Sequence, residues 1–334
     1  TEANKMKPKY YFAFLTLVLS MILNFSGCRE YKTTTKINSD GSCERTVIVK
    51  ENSVKPESLV FPVPTDNSWK IERTKAKDDT TQTVYTATKY FADVNDINNE
   101  YKNKDKIGLH VNLDKKFRWF YTYFDYEEVY QSYFPFKKIP IKNFLTTKEY
   151  ESYLSGDTTK ALKKRLNGFA EENYFEYFFD EFLALLEKSN ITDLAPEYVA
   201  SKKSIISEKI REYGDKTEEL IKYLEKVLGT KSVWKLKDGI ENIIKSILDQ
   251  MSHFSSVNGN YKNEVTIPGI ILSTNAKTIE GNKAVWEFDE NRFCYVDYKM
   301  VVKSRAVNVW AFIVSGVIVL AVIVLLIIPK FKKK

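Results

Sequence analysis

The amino-acid sequence predicts an α+β protein with two β-rich regions, a helical region between them and one C-terminal transmembrane helix. Three observations support this fold class. Apolar and polar residues alternate in residues 28–134 and 259–306, apolar residues recur at helical spacing in residues 135–258, and residues 309–328 form an apolar run without a charge. Pro135 and Pro140 mark the first change of period.

The N-terminus has the organisation of a bacterial lipoprotein signal. With Met6 as the start, Lys7 and Lys9 form a short basic region, residues 10–23 are apolar, and Ser26-Gly27-Cys28 ends the segment. An apolar stretch of this length fits a signal peptide and is short for a membrane span. We expect residues 1–27 to be a signal peptide and Cys28 to be lipidated, although Phe25 stands where such signals usually have Leu. An uncleaved signal anchor is the alternative.

The first β-rich region contains two predicted hairpins and one strongly aromatic strand. Asp40-Gly41 turns between β-branched runs, and a second hairpin is predicted within residues 69–90. In a strand predicted for residues 117–126, Trp119, Tyr121 and Tyr123 lie on one face, and other aromatic residues lie on the opposite face. Both faces should therefore be covered. A central strand in a packed core is the simpler interpretation. A groove for a lipid or peptide, lined by these three residues, is the alternative.

Residues 135–258 predict a bundle of about four to six helices packed on the sheet. Thr146 with Glu149 forms a capping box, and residues 169–186 carry a broad apolar face. Pro196 and Gly229 interrupt the helical pattern. The apolar stripes could also bind a partner helix, but a core formed by helix-on-helix packing is the simpler interpretation.

Strands resume in residues 259–306, and here the chain resembles a known family. The features are the cysteine after Ser-Gly, the early turn at Asp40-Gly41, Pro268-Gly269, Asn275, Gly281-Asn282 and Val285-Trp286 before a C-terminal span. Together they resemble the LppM-like family of bacterial lipoproteins, with the helical region as an insertion. The resemblance implies that the two β-rich regions form one discontinuous, mainly antiparallel domain beside the membrane. It also implies a link to lipid handling, and it brings no catalytic residues.

The last apolar run predicts a transmembrane helix within residues 307–329. At ~1.5 Å per residue, its twenty uncharged residues cover the ~30 Å hydrocarbon core of a bilayer. Trp310 stands where an interfacial aromatic residue is expected, and the tail at 330–334 is rich in lysine. Because lysine collects on the cytoplasmic side, we expect the tail inside and the preceding chain outside, in a single-pass protein. A buried core helix is the alternative.

Two cysteines in the exported body are predicted to form a disulfide. Cys43 shares a strand face with Val47 and Val49, and Cys294 begins an apolar pattern in a strand predicted for residues 293–302. An even pair in an oxidising compartment favours the bond. Two buried thiols that pack as small apolar side chains are the alternative.

The charge and the motifs exclude several classes of function. Lysines at the two termini account for nearly all of the net charge of +7, so the body lacks the basic surface of a nucleic-acid-binding protein. His110 and His253 lack metal-ligand spacing, and we expect no metal or cofactor. Asp125, Glu127 and Glu128 could act as general acid and base on a glycan, but solvated acids at a strand end are the simpler interpretation.

The expected function is that of a non-catalytic interaction or assembly module of the bacterial cell envelope. The expected anchors in the cytoplasmic membrane are the lipid at Cys28 and the C-terminal helix. Binding or transfer of a lipid or another apolar ligand is the alternative, and an enzyme acting on the cell wall is the third. The expected partners are the bilayer and either a lipid or an envelope protein.

Overall fold

The structure is a computed structural model of the chain. It describes residues 29–52, 55–56, 59–76, 79–102, 106–156, 159–189, 191–213, 216–255, 257 and 259–331, without the side chains of residues 209–212, 253–255 and 328–331. The signal peptide predicted for residues 1–27 and the lipidation site Cys28 lie outside the described residues.

The described residues form an α+β fold, as the sequence predicts. The strands are β1 (Glu30–Ile37), β2 (Cys43–Glu51), β3 (Lys70–Lys75), β4 (Thr83–Phe91), β5 (Leu109–Phe117), β6 (Tyr121–Tyr130), β7 (Asn260–Thr266), β8 (Ile270–Thr274), β9 (Thr278–Glu280), β10 (Lys283–Asp289) and β11 (Tyr298–Val307). The α-helices are α1 (Ile141–Phe144), α2 (Thr147–Ser155), α3 (Lys160–Lys188), α4 (Pro196–Ser201), α5 (Lys203–Tyr213), α6 (Thr217–Leu228), α7 (Lys237–Ser255) and α8 (Val309–Phe331).

The described residues divide into two compact units. A β unit takes residues 29–132, 259–293 and 297–331, and a helical unit takes residues 133–257 and 294–296. The β unit is therefore discontinuous in sequence, with the helical unit inserted between its two main parts.

A seven-stranded sheet joins the two β-rich regions of the sequence. Its strand order is β3-β4-β2-β1-β7-β10-β9. The first hairpin pairs β1 with β2 around Gly41, whose φ of 99° is accessible to glycine at little cost. β1 then pairs in parallel with β7, from Glu30 opposite Asn260 to Lys36 opposite Thr266. This pairing connects strands on either side of the helical insertion.

The second sheet has four strands in the order β5-β6-β11-β8. β6 is central and strictly alternating, with Thr122, Phe124, Tyr126, Glu128 and Tyr130 buried. β11 runs antiparallel to β6, from Tyr298 opposite Tyr130 to Val307 opposite Tyr121. Since α8 begins two residues after β11, this register brings the start of α8 to the turn between β5 and β6.

The strand predicted for residues 117–126 is in fact a hairpin turn with parts of two strands. Arg118 and Tyr121 exchange backbone hydrogen bonds of 2.7 and 3.2 Å, which leaves Trp119 and Phe120 as the turn. The prediction failed here because this turn contains none of the residues that usually indicate one.

The inner faces of the two sheets meet in an aromatic core with one ion pair. Tyr31 stacks on Tyr261 with ring centroids 4.7 Å apart, and Phe61 lies 5.4 Å from Tyr130. Among these rings, Arg45 of β2 forms a salt bridge of 2.7 Å with Glu128 of β6. Apolar burial and one charge pair therefore hold the two sheets together.

The helical unit has its own apolar core. The capping box of Thr146 and Glu149 is present at the start of α2, and Gly229 ends α6 with a φ of 72°. Phe178, Phe179 and Phe182 of α3 pack with apolar residues of α4 to α7. In the described part of this unit, five helices have nine residues or more, and α1 and α4 are shorter.

Candidate membrane interface

The C-terminal helix α8 is the first component of the candidate site. It runs without interruption from Val309 to Phe331, and its segment Val309–Ile327 is long and apolar enough to cross a membrane. Only 6 % of that segment is buried within the protein. The alternative interpretation, a buried core helix, does not fit this exposure.

The β5–β6 turn is the second component, and it packs against the first two turns of α8. Phe117 stacks on Trp310 at 6.2 Å, Trp119 meets the same ring edge-on at 5.2 Å, and Phe120 lies 4.6 Å from Phe312. The indole Nε1 of Trp119 donates a 2.9 Å hydrogen bond to Oγ of Ser315. We call Phe117, Trp119, Phe120, Trp310 and Phe312 the aromatic collar.

Asn308, the single residue between β11 and α8, binds the turn to the helix. Its backbone N–H donates to the carbonyl of Phe120 at 2.9 Å, and its Nδ2 donates to the carbonyls of Arg118 and Trp119 at 2.8 and 3.2 Å. Its Oδ1 accepts a 2.9 Å hydrogen bond from Thr122. Sequence reasoning missed Asn308; the available signal was a single polar residue between the apolar pair Ala306-Val307 and an apolar helix.

The collar remains exposed in spite of these contacts. Phe117 is 55 % exposed, Trp119 45 % and Phe120 39 %. Val307, Val309 and Ile270 add exposed apolar surface at the same end of the sheet. An apolar patch of this kind marks an interaction surface for a membrane or a protein.

Three cationic side chains surround the collar. Lys116 pairs with Asp114 at 2.7 Å, whereas the guanidinium groups of Arg118 and Arg305 have no carboxylate partner among the described residues. Arg305 lies over the ring of Tyr121, with 4.5 Å between its Cζ and the ring centroid.

The three residues predicted to line a groove lie in different surroundings. Trp119 is in the turn, and Tyr121 contacts Phe312 edge-on at 6.3 Å. Tyr123 lies two residues further along the same face of β6, opposite Arg305 in the sheet. A groove lined by Trp119, Tyr121 and Tyr123 stays a prediction.

The predicted acidic cluster is divided between the two faces of β6. Glu128 points into the core, where Arg45 and the Tyr126 hydroxyl bind it at 2.7 and 2.6 Å. Burial by itself would raise the pKa of Glu128. The positive charge of Arg45, the hydrogen bonds from Arg45 and the hydrogen bond from the Tyr126 hydroxyl outweigh burial, and the pKa of Glu128 is lowered. Asp125 and Glu127 lie on the outer face, where Glu127 pairs with Lys299. Strand alternation thus prevents Glu128 from acting together with the other two acids.

Metal-ligating groups do not converge in the described part of the chain. It contains no group of three or more His, Cys, Asp or Glu side chains that could hold a metal ion. His110 is exposed on β5, and the side chain of His253 lies outside the described residues.

The predicted disulfide between Cys43 and Cys294 is not formed in the structure. Both cysteines belong to the described residues, both are buried, and no disulfide joins them. The strand that was expected to carry Cys294 begins only at Tyr298, and Cys294 belongs to the helical unit while Cys43 belongs to the β unit. Burial raises the pKa of the Cys43 thiol to about 12.

Comparisons with known proteins give one distant similarity. No family model matches the chain, and no curated protein matches it. Among solved structures, it is similar to the folded domain of LppM from Mycobacterium tuberculosis, solved by NMR. The identity is 10 %, the match covers 85 % of this chain and 94 % of that domain, and the TM-score is 0.33. At this TM-score and identity the similarity assigns neither family nor function, and membership of the LppM-like family stays a prediction.

Proposed function

We propose that the protein is a single-pass protein of the bacterial cytoplasmic membrane and serves as a non-catalytic interaction or assembly module of the cell envelope. In this proposal α8 spans the bilayer, the β and helical units lie on its extracytoplasmic side, and Cys28 carries a second, lipid anchor. The observation that supports it best is α8, because so long an apolar helix with so little of its surface buried needs a non-aqueous environment.

The dimensions of α8 support a span. The segment Val309–Ile327 has 19 residues. At ~1.5 Å per residue these cover about 28 Å, close to the ~30 Å hydrocarbon core. Val317, Leu320 and Leu325 are each more than half exposed, on a helix that would otherwise present them to water. Trp310 supports a membrane interface at the start of the segment, and the lysines after Ile328 support an inside C-terminus.

Two other functions receive less support. A carrier of an internal lipid would need space between the sheets, but Phe124, Tyr126 and Tyr130 are almost fully buried there and pack with other side chains. A glycan-cleaving enzyme would need convergent acids, and Glu128 faces away from Asp125 and Glu127.

A charge in the middle of α8 tests the proposed span. Leu320→Arg places a cation near the middle of the segment, where insertion costs about 3 kcal/mol. Both variants are made with a signal peptide that is cleaved without lipidation in place of residues 1–28, so that the proposed lipid anchor at Cys28 cannot retain them. We expect a large part of Leu320→Arg to be released by alkaline carbonate, while Leu320→Ala stays in the membrane pellet. Equal retention of both variants, or release of the wild-type chain, would contradict a spanning α8.

A further inference from the structure

We propose that the β5–β6 turn enters the outer half of the bilayer beside α8, with the aromatic collar among acyl chains and with Arg118 and Arg305 at lipid phosphates. This inference rests on the proposed function, because it takes α8 as the span. The partner is a phospholipid bilayer, and the turn is a second protein element in contact with it.

The depth of Trp119 follows from its hydrogen bond to α8. Ser315 follows Val309 by six positions, which is about 9 Å along the helix axis. Because the span of 19 residues is only just long enough for the hydrocarbon core, it has no spare turn that could lie above the membrane surface. Ser315 is therefore below that surface, and the indole that donates to it at 2.9 Å is carried to the same depth.

The carbonyl groups of the turn are satisfied in a way that suits a lipid environment. Unpaired backbone groups are expensive in hydrocarbon. Here the three successive carbonyls of Arg118, Trp119 and Phe120 each accept a hydrogen bond from Asn308. The indole N–H of Trp119 donates to the hydroxyl oxygen of Ser315. The side chains that the collar exposes are aromatic rings.

The cations lie where the headgroups would be. Arginine side chains beside an inserted segment extend towards the interface, and a guanidinium fits a phosphate with two parallel hydrogen bonds. Arg118 is in the turn itself, and Arg305 lies on β11 two residues before its end. Their lack of carboxylate partners within the described residues leaves both groups available for phosphate.

Site-specific photo-crosslinking in vesicles tests the insertion. The full-length protein is reconstituted in equal parts of phosphatidylcholine and phosphatidylglycerol, with p-benzoylphenylalanine in place of Phe120, Ile318 or Lys299. Lys299 is the matched control, since it is exposed on the same sheet but lies about 26 Å along β11 from Val307 at ~3.3 Å per residue. Mass spectrometry identifies the adducts. We expect lipid adducts at positions 120 and 318 and no lipid adduct at position 299.

The pattern of adducts distinguishes the two levels of the proposal. Lipid at 318 without lipid at 120 would overturn the inserted turn and leave the span intact. No lipid at 318 would overturn the span and the inserted turn together. An adduct at 120 with a second copy of the chain would also overturn the inserted turn. The probe at Phe117 provides a second position if the variant at 120 does not fold.

The headgroup contact has its own readout in the same experiment. Phosphatidylglycerol should be enriched in the adducts at position 120 relative to its share in the vesicle. This enrichment should be lost in the variant Arg118→Gln with Arg305→Gln and kept in the control variant Lys299→Gln. A lipid adduct without enrichment in the wild-type background would overturn the phosphate contact.

Discussion

Arg45 and Glu128 are the residues on which the β unit depends most at the scale of single side chains. Both are almost fully buried, and the guanidinium reaches both carboxylate oxygens, at 2.7 and 3.3 Å. Arg45 also donates to the hydroxyl of Thr35 at 2.8 Å. The two residues belong to different sheets, so the pair fixes the register of one sheet on the other.

Glu128→Gln should destabilise the fold strongly. The substitution keeps the shape but leaves the Arg45 charge buried without a counter-ion, which costs about 3–5 kcal/mol in the free energy of unfolding. The matched control is Glu287→Gln, since Glu287 forms an exposed pair with Lys277 and such pairs contribute about 0–1 kcal/mol. Thermal unfolding of the purified proteins in detergent measures both. Equal melting temperatures for the two variants would contradict the role given to Glu128.

The same pair predicts a loss of stability in acid. The pKa of Glu128 is lower in the folded protein than its ordinary value of about 4.3. The pair therefore stabilises the fold fully above that ordinary value, and this share is lost as the pH falls through the folded pKa. We expect the gap in stability between wild type and Glu128→Gln to narrow as the pH falls in this range. A gap that does not change with pH would contradict the ionised state of Glu128.

The thiol of Cys43 should be unreactive in the folded protein. Its pKa of about 12 keeps it protonated near neutral pH, and the thiolate is the reactive form. We expect slow alkylation of Cys43 under native conditions and fast alkylation in denaturant, followed by peptide mass spectrometry. The unfolded protein is the internal control. A disulfide-linked peptide that contains both Cys43 and Cys294, found in the absence of reductant, would contradict the structure and support the predicted disulfide.

Asn308 is the residue that joins elements, and its loss should loosen α8 from the turn. Asn308→Ala removes three side-chain hydrogen bonds, to Arg118, Trp119 and Thr122. At about 1 kcal/mol each, we expect a loss of about 2–3 kcal/mol in stability. Asn112→Ala is the control, because Asn112 is exposed on the neighbouring strand β5. Thermal unfolding in detergent compares the two, and an equally small effect of both would contradict this role of Asn308.

Elements that depend only on residues close together in the sequence could be predicted from the sequence. The capping box of Thr146 and Glu149 involves residues three positions apart, and the turns at Gly41 and Gly229 need only a glycine at a positive φ. The unbroken apolar run at residues 309–328 is enough to predict α8 as a membrane-length helix. These elements appear where the sequence indicates them because no distant partner decides them.

Elements whose bounds depend on pairing with distant parts of the chain could not be predicted from the local sequence pattern. β11 runs to Val307 because it pairs with β6 along ten residues, and this partner lies about 170 positions earlier in the chain. The parallel pairing of β1 with β7 joins residues from Glu30 and Asn260 onwards. The family resemblance implied that the two β-rich regions share one domain, but it did not indicate this pairing. The turn at Trp119 and Phe120 is closed by Asn308, far from it in sequence.

The buried ion pair was within reach of sequence reasoning. Glu128 has the same strand parity as Phe124 and Tyr126, and Arg45 has the same parity as Cys43 and Val47. A charged residue on the apolar face of each of two strands indicates a partner of opposite charge across the core. The aromatic collar was less accessible, because its two halves belong to segments about 190 residues apart that meet only through the register of β11.

At the scale of the whole molecule, the junction between β11 and α8 is the proposed boundary between the exported part of the chain and the membrane. α8 continues directly from the sheet of the β unit, and the collar surrounds the junction. A short, hydrogen-bonded junction of this kind does not behave as a flexible linker. We therefore expect the β unit to hold a defined orientation towards the bilayer surface.

Protease protection in intact protoplasts measures whether α8 crosses the bilayer with the rest of the described chain outside. One epitope is inserted at the exposed Thr80, in the β3–β4 connection, and a second follows Lys334. We predict that external protease removes the Thr80 epitope and spares the Lys334 epitope, and that both are removed once detergent opens the membrane. Removal of both epitopes from intact protoplasts, or the reverse pattern, would contradict a spanning α8 with an inside C-terminus.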